Sequence, residues 1–195
     1  LRSEARATLS PATASSILIL EQEMENTLAD TGKVEILKEL SSAWFGAGHP
    51  AVAGYYAEEI ANISGTEESW SIAGTTYAIG AQRAEEAKVR NFSTNRAIQA
   101  LENAISLNPQ NTQHQVNLAL VYAEDPPQDN PMRGVQMLLD LNQKEPENVF
   151  VLLALARLAI RTGQYDRAAS RLEKIIELEP ANAQAICLLA EVYQN

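Results

Sequence analysis

The chain has 195 residues, of which 46% are hydrophobic, and its formal net charge is −10. This length and hydrophobic fraction suffice for a sizeable core without metal ions or cross-links, and the single cysteine, Cys187, excludes an internal disulfide. The negative charge argues against sequence-independent binding of nucleic acid or of anionic membranes. The longest aliphatic run, residues 17–20, is far shorter than the roughly 20 apolar residues that cross a bilayer. No membrane-spanning segment is therefore predicted.

The first predicted element is a helix that begins at Ser10 and Pro11. Serine followed by proline is typical of a helix N-cap and first turn, and the pattern predicts one helix that ends before Gly32. Its apolar residues need cover. Three sites for it are considered: the exposed side of the first repeat described below, the groove of the repeat domain, and the same helix of another molecule. Residues 1–32 are accordingly predicted to form an N-terminal extra helix or arm.

After this helix the chain repeats itself with a period of 34 residues, interrupted by insertions. One small residue recurs in each predicted first helix, at Ser41, Gly74, Ala119, Ala156 and Ala190. Another recurs in each predicted second helix, at Ala53, Ala97, Gly134 and Ala168, which are 44, 37 and 34 residues apart. The closing residues Gly65, Pro109, Pro146 and Pro180 show the same three intervals. The copies are therefore predicted at residues 34–66, 67–111, 112–148 and 149–182, with half a copy at 183–195.

Two of the copies carry insertions. The second copy contains 11 extra residues within 78–93, a stretch rich in alanine and charge. Eleven residues make about three helical turns almost in phase, so they predict a longer hairpin that projects as an arm without rotating its packing face. The third copy contains three extra residues, and Pro126, Pro127 and Pro131 predict a stiff non-helical connection there.

The residues at the repeating positions resemble the tetratricopeptide repeat family, whose pattern is W-x2-L-G-x2-Y, then A-x3-F, then P. Residues 70–77, WSIAGTTY, fit the first part except at Ala73, and residues 186–193, ICLLAEVY, open a copy that is not finished. The fourth copy supplies Leu152, Leu155, Ala156, Gly163, Tyr165, Ala168, Leu172 and Pro180. The resemblance implies an all-α, right-handed superhelical solenoid of antiparallel helix hairpins, with residues 33–195 as the repeat domain.

The chain offers no arrangement typical of a catalytic or metal site. Neither His49 nor His114 has a second ligand-type residue at metal-binding spacing. Cys187 lies in an apolar stretch and is predicted to be a small core residue. Glu58 and Glu59 are adjacent, so a helix points them in different directions, unlike paired catalytic carboxylates. We therefore expect no enzyme activity, no cofactor and no metal.

A binding groove is predicted instead, because the resemblance implies a concave face formed by the first helix of each repeat. With 100° per residue, positions 2, 5, 9 and 12 of each first helix point to that face. They place there Lys38, Ser42, Phe45, Ser71, Thr75, Val116, Leu120, Phe150, Leu153, Arg157 and Ile160, and Asn117 is included as the neighbour of Val116 and Leu120. Residues 149–160 are apolar nearly all round, so their groove side should be covered by a partner, by the N-terminal helix or by the next repeat.

The predicted function is a non-catalytic scaffold that binds a protein partner, as a peptide or helix with apolar anchors, in this groove. A clamp for a terminal carboxylate, known in some relatives of the family, is not predicted, because only Lys38 fits its pattern. The alternative is homo-oligomerisation through the N-terminal helix or the unfinished half-repeat. The sequence begins without methionine, which is typical of a trimmed chain. This leaves two locations open: the cytoplasm, and the soluble part of an anchored cell-envelope protein.

Overall fold

The computed structural model describes residues 1–194, and within that range it contains eleven helices and no strand. The helices are α1 (Arg2–Arg6), α2 (Pro11–Asn26), α3 (Asp30–Gly46), α4 (Pro50–Ser64), α5 (Glu67–Arg83), α6 (Ala87–Leu107), α7 (Thr112–Glu124), α8 (Arg133–Lys144), α9 (Val149–Arg161), α10 (Tyr165–Leu178) and α11 (Ala183–Val192). They form two compact units, unit 1 from Leu1 to His114 and unit 2 from Gln115 onward. None of the helices in the described range is both long and apolar enough to cross a bilayer.

The N-terminal helix α2 packs on the first helix of the first repeat. Ser10 caps α2 as predicted, its side chain accepting a hydrogen bond from the backbone nitrogen of Thr13. Ile17 of α2 is fully buried in a cluster with Leu37 and Leu40 of α3. Of the three sites considered for this helix, it therefore occupies the side of the first repeat within its own chain.

The predicted end of this helix is wrong, because α2 ends at Asn26 and Gly32 lies inside α3. Thr27 adopts an extended backbone, and α3 begins at Asp30, earlier than the repeat pattern indicated. The short helix α1 was also missed, since five residues carry too little periodicity to be recognised. It is tied to α2 by an ion pair between Arg6 and Glu21.

The recurring small residues lie where two helices of a hairpin touch. Gly74 is buried against α6, and a Cβ at this position would lie 2.6 Å from Leu101 Cγ and 3.2 Å from the Ala97 carbonyl oxygen. In the first hairpin the Ser41 hydroxyl donates a hydrogen bond to the Ala53 carbonyl, with 3.0 Å between the oxygens. Side chains of this size let two backbones approach closely while large neighbours fill the flanks.

The insertion in the second copy gives a longer helix hairpin, as predicted, and the insertion in the third copy gives a non-helical connection. Helices α5 and α6 contain 17 and 21 residues, compared with 13 and 12 in α7 and α8, so the second hairpin is longer. Residues 125–132, which include the three prolines, connect α7 to α8 without a helix. Gly65 and Gly163, which close α4 and precede α10, have positive φ values of 63° and 70°, a backbone region that favours glycine.

Unit 2 is built around α9, whose apolar residues divide between two clusters. Val151 and Leu155 join α7 and α8 residues in one cluster, and Leu152 and Ala156 join the α10 residues Ala168, Leu172 and Ile175 in the other. Ala185 and Val192 of α11 belong to the second cluster, so α11 supplies part of the cover that α9 needs.

Candidate functional site

In unit 1, the groove face of α3 and the facing side of α5 border an open cavity of about 480 Å³. One wall comes from α3, with Lys38, Ser42 and Phe45, which is where the sequence placed groove residues. The floor comes from α4. The complete lining consists of Lys38, Ser41, Ser42, Phe45, Gly46, Ala57, Ile60, Ser69, Ile72 and Thr76. The predicted residues of the first repeat are thus brought together in one open cavity.

On the wall contributed by α5, the lining residues are shifted by one position along the helix from the predicted ones. Ile72 and Thr76 line the cavity, whereas Ser71 and Thr75 are half-buried outside its lining. The Thr75 hydroxyl donates a hydrogen bond to the Ser71 carbonyl, with 2.9 Å between the oxygens. This wall is therefore formed by the face of α5 that is turned toward the preceding repeat. The positions predicted for the groove lie one residue earlier on the helix. Adjacent helix residues point 100° apart. Which of the two faces the cavity depends on how α5 is rotated relative to α3, and the sequence alone does not give that rotation.

Apolar side chains are exposed on both walls of the cavity. Phe45 is 37% exposed and Ile72 is 52% exposed. The guanidinium of Arg83 lies over the Phe45 ring, 5.6 Å from its centroid, in a cation–π contact that holds the ring on the groove side of α3. The remaining walls carry three serine hydroxyls and one threonine hydroxyl. Such a surface favours a guest with apolar side chains and a backbone that accepts or donates hydrogen bonds.

A buried polar network lies behind the floor of this cavity. Glu58, next to the floor residue Ala57, is only 8% exposed and accepts hydrogen bonds from the Tyr77 hydroxyl at 2.8 Å and from Arg96 Nε at 3.0 Å. Arg96 Nη2 lies 2.6 Å from the other carboxylate oxygen, so the pair is bidentate. Burial and the hydrogen bond to Glu58 raise the pKa of Tyr77. The network joins α4, α5 and α6, and it assigns Glu58 a structural partner rather than a catalytic one.

The predicted groove residues of unit 2 have mixed exposure. Phe150 is 52% exposed and Arg157 is exposed, while Asn117 is half-buried. Leu120 packs against the cluster formed by α7, α8 and α9, whereas Leu153 and Ile160 pack against the cluster that α11 joins. Phe150 and Arg157 are therefore the residues of this set that are most accessible to a guest.

One predicted anchor of unit 2 is wrong. Val116 is 4% exposed, because α8 and α9 residues such as Leu138 and Val151 pack in the same cluster. A guest on the surface of unit 2 cannot reach it without displacing the core.

The two histidines and the cysteine, which the sequence analysis considered as catalytic or metal-binding residues, do not lie together in a site. His49 Nε2 lies 2.8 Å from the Thr8 hydroxyl, and the His114 ring is buried with Nε2 3.8 Å from a Glu67 carboxylate oxygen. Within residues 1–194, no group of three histidine, cysteine or acidic residues is arranged to hold a metal ion. The prediction that Cys187 is a core residue is wrong, because α11 presents it to solvent.

The helices of unit 2 carry the match to a known family. Residues 131–192 match the model of the tetratricopeptide repeat family. This part of the chain is thus similar to tetratricopeptide repeats. No curated protein matches its sequence. Tetratricopeptide repeat proteins are generally non-catalytic scaffolds for protein–protein interactions.

Solved structures show the same fold over most of the chain. A thermophilic tetratricopeptide repeat protein from Thermus thermophilus is similar with a TM-score of 0.67 and 17% identity, covering 94% of this chain and 91% of that one. Two structures of MamA have TM-scores of 0.53 and 0.52, with 19% and 16% identity. They cover 89% and 94% of this chain and 86% and 92% of the MamA chains. The predicted all-α solenoid of helix hairpins is confirmed.

Proposed function

We propose that this protein is a tetratricopeptide repeat scaffold that holds a peptide or helix of a protein partner by apolar anchors on the groove faces of its first helices. The observation that carries the proposal is the cavity of unit 1, where Phe45 and Ile72 are exposed on facing helices above a floor of Ala57 and Ile60. Exposed apolar side chains that converge on a concave site are the usual mark of a binding surface.

The size of the cavity sets the strength of binding that we expect. Burying one large apolar side chain of a guest contributes on the order of 1.5–3 kcal/mol. Association itself costs an estimated 4–15 kcal/mol in lost translational and rotational freedom. A guest with two anchors in this cavity must therefore add backbone hydrogen bonds or further contacts, and we expect affinities around the micromolar range.

Unit 2 offers a second surface of the same kind. Phe150 and Arg157 are exposed on α9, seven residues apart and therefore on the same face of that helix. We propose Phe150 as an apolar anchor and Arg157 as the group that binds a carboxylate or carbonyl of the guest. We propose that four half-buried residues from the predicted set border this surface: Asn117, Leu120, Leu153 and Ile160.

The proposal predicts that removing the two apolar side chains of the unit 1 cavity strongly weakens binding there. A peptide selected from a random displayed library on the full chain should lose at least tenfold in affinity for the Phe45→Ser, Ile72→Ser double variant, because each anchor carries on the order of 1 kcal/mol or more. Fluorescence anisotropy with the labelled peptide measures this. The circular dichroism spectrum should stay unchanged, because both side chains lie on the surface.

A matched control comes from two other apolar residues of unit 1. Ile63 and Leu107 are 37% and 52% exposed, the same values as Phe45 and Ile72, and neither lines the cavity. The Ile63→Ser, Leu107→Ser variant should bind the peptide as well as the unaltered chain does. Equal losses in the two variants, or no loss in either, would contradict the groove assignment.

A further inference from the structure

We infer that one face of α10 binds an acidic segment of a partner protein. This face, which we call the basic face, consists of Arg167, Arg171, Lys174 and Leu178. The four residues follow one another at intervals of four, three and four positions, so they lie along one side of the helix, away from its buried residues. None of the predicted groove residues lies on α10, so this surface is separate from the proposed groove.

The two arginines of the basic face are held by neutral groups. Arg167 Nη1 donates a hydrogen bond to Gln164 Oε1, with 2.7 Å between the two atoms. Arg171 Nη1 donates one to the backbone carbonyl oxygen of Arg167 at 3.1 Å. Across residues 1–194, neither guanidinium forms an ion pair with a carboxylate. These contacts orient both groups and leave their charges available to a guest carboxylate.

The positive charges of the two arginines act on each other. Arg171 is half-buried and lies one helical turn after Arg167. Burial and the neighbouring Arg167 lower the pKa of the Arg171 guanidinium, which stays protonated at neutral pH all the same. A carboxylate placed between the two groups offsets their repulsion, so an acidic guest is favoured here over a neutral one.

The third cation of the basic face is also available to a guest. Lys174 Nζ lies 3.9 Å from Glu147 Oε1, and these side chains are 40% and 69% exposed. An ion pair of this length between exposed side chains is weak and is screened by salt. A guest carboxylate can therefore replace Glu147 without leaving a buried charge unpaired.

Acidic residues beside the basic face restrict the kind of guest. Asp166, Glu173 and Glu177 are exposed on a neighbouring side of α10, and the chain as a whole has a formal charge of −10. A nucleic acid extends its phosphates well beyond the three cations and is repelled by these surroundings. A short acidic protein segment lies along the cations alone, so we assign this kind of guest to the face.

The length of the basic face sets the size of the guest. From Arg167 to Lys174 the cations extend about 10 Å along the helix axis. Leu178 lies one turn further on and is 40% exposed. A segment with two or three carboxylates over this length, and one apolar side chain at the end that meets Leu178, is complementary to the whole face.

Three synthetic dodecapeptides with blocked termini test the inference on the full chain. Each carries one leucine near one end, and they differ at a shared set of positions that hold glutamate, glutamine or lysine. Because the termini are blocked, an acidic preference must come from side chains. Fluorescence anisotropy at low salt should show the glutamate peptide binding roughly tenfold more tightly than the other two, with an affinity that falls as salt is added.

Two double variants locate the binding site of the glutamate peptide. Arg167→Gln, Arg171→Gln should weaken its binding roughly fivefold. Lys88→Gln, Arg90→Gln removes the same charge from exposed residues of α6 and should change the affinity by less than about twofold. In the unaltered chain, the Nε–H resonances of Arg167 and Arg171 should shift when the peptide is added. This measurement decides the question even if the arginine variant loses its fold.

Several results would overturn the inference. They are equal affinities for the three peptides, equal weakening by both double variants, arginine resonances that do not move, and tighter binding of a single-stranded oligonucleotide of similar charge than of the glutamate peptide. None of them bears on the proposed groove, because the Phe45→Ser, Ile72→Ser variant should bind the glutamate peptide as well as the unaltered chain does.

Discussion

A Gly134→Ala substitution should destabilise unit 2 by about 3 kcal/mol, although alanine is intrinsically the better helix former by about 1 kcal/mol. Gly134 lies in the first turn of α8, where a Cβ would lie 2.5 Å from the backbone nitrogen of Ala123 and would also meet the Ala119 carbonyl oxygen. These contacts are with backbone, which cannot rotate away as a side chain can. Helix α8 would have to move away from α7, and the buried side chains of Leu138 and Leu141 would lose contacts.

The matched control for this substitution is Gly46→Ala. Gly46 is the last residue of α3 and is exposed, and a Cβ there would meet no heavy atom within 4 Å. We expect this variant to be unchanged or up to about 1 kcal/mol more stable, since alanine reduces the freedom of the unfolded chain. Urea unfolding followed by circular dichroism compares the two. Similar stabilities for both variants would show that the small residues of the repeat do not set the helix spacing.

A Leu172→Ala substitution should cost about 2–5 kcal/mol of stability in unit 2. Leu172 is fully buried in the cluster shared by α9, α10 and α11, which also contains the small residues Ala156 and Ala168. Removing its isobutyl group leaves a cavity that these short neighbours cannot fill. The loss therefore includes both the transfer free energy of the removed atoms and the cost of the cavity.

Leu178 on the same helix provides the comparison, because it is 40% exposed. Leu178→Ala should cost less than Leu172→Ala, by about 1 kcal/mol or more, since a large part of the Leu178 side chain is already in water and its removal leaves no enclosed cavity. The midpoints of denaturant unfolding distinguish the two variants. A loss below about 1 kcal/mol for Leu172→Ala would mean that the predicted repeat position is not part of a closely packed core.

The repeat architecture was predictable because its markers are determined by contacts between neighbouring helices. Gly74 and Gly134 recur among the small residues of successive copies, and the structure shows each of them against the partner helix of its hairpin. Gly163, which the fourth copy carries at a family position, has a φ of 70°, a backbone region that favours glycine. These requirements recur once in each copy, so a periodic sequence reveals them.

The candidate site was predictable only in part, because exposure depends on which helices follow. Lys38, Ser42 and Phe45 were predicted on the groove face and line one cavity. Val116 was also predicted on the groove face but is buried by α8 and α9, and Cys187 is exposed on α11. Helical periodicity gives the direction of a side chain from its own axis, and it contains no information on the neighbours that cover it.

The network of Glu58, Tyr77 and Arg96 was not predictable at all. Glu58 and Tyr77 are 19 residues apart in the chain, and so are Tyr77 and Arg96, so no short motif brings the three together. Their association depends on the packing of three helices, and the charge of Glu58 is tolerated in the interior because Arg96 and Tyr77 bind its carboxylate. The network supports the floor of the cavity, since Glu58 adjoins Ala57.

The central claim is that a partner binds on the first-helix face of unit 1, and its most direct test is a nuclear magnetic resonance titration of the isotope-labelled full chain with the selected peptide. The amide resonances of α3 and α5 near Phe45 and Ile72 should shift progressively and saturate together. Shifts confined to the outer second helices, with Phe45 and Ile72 unaffected, would contradict the account.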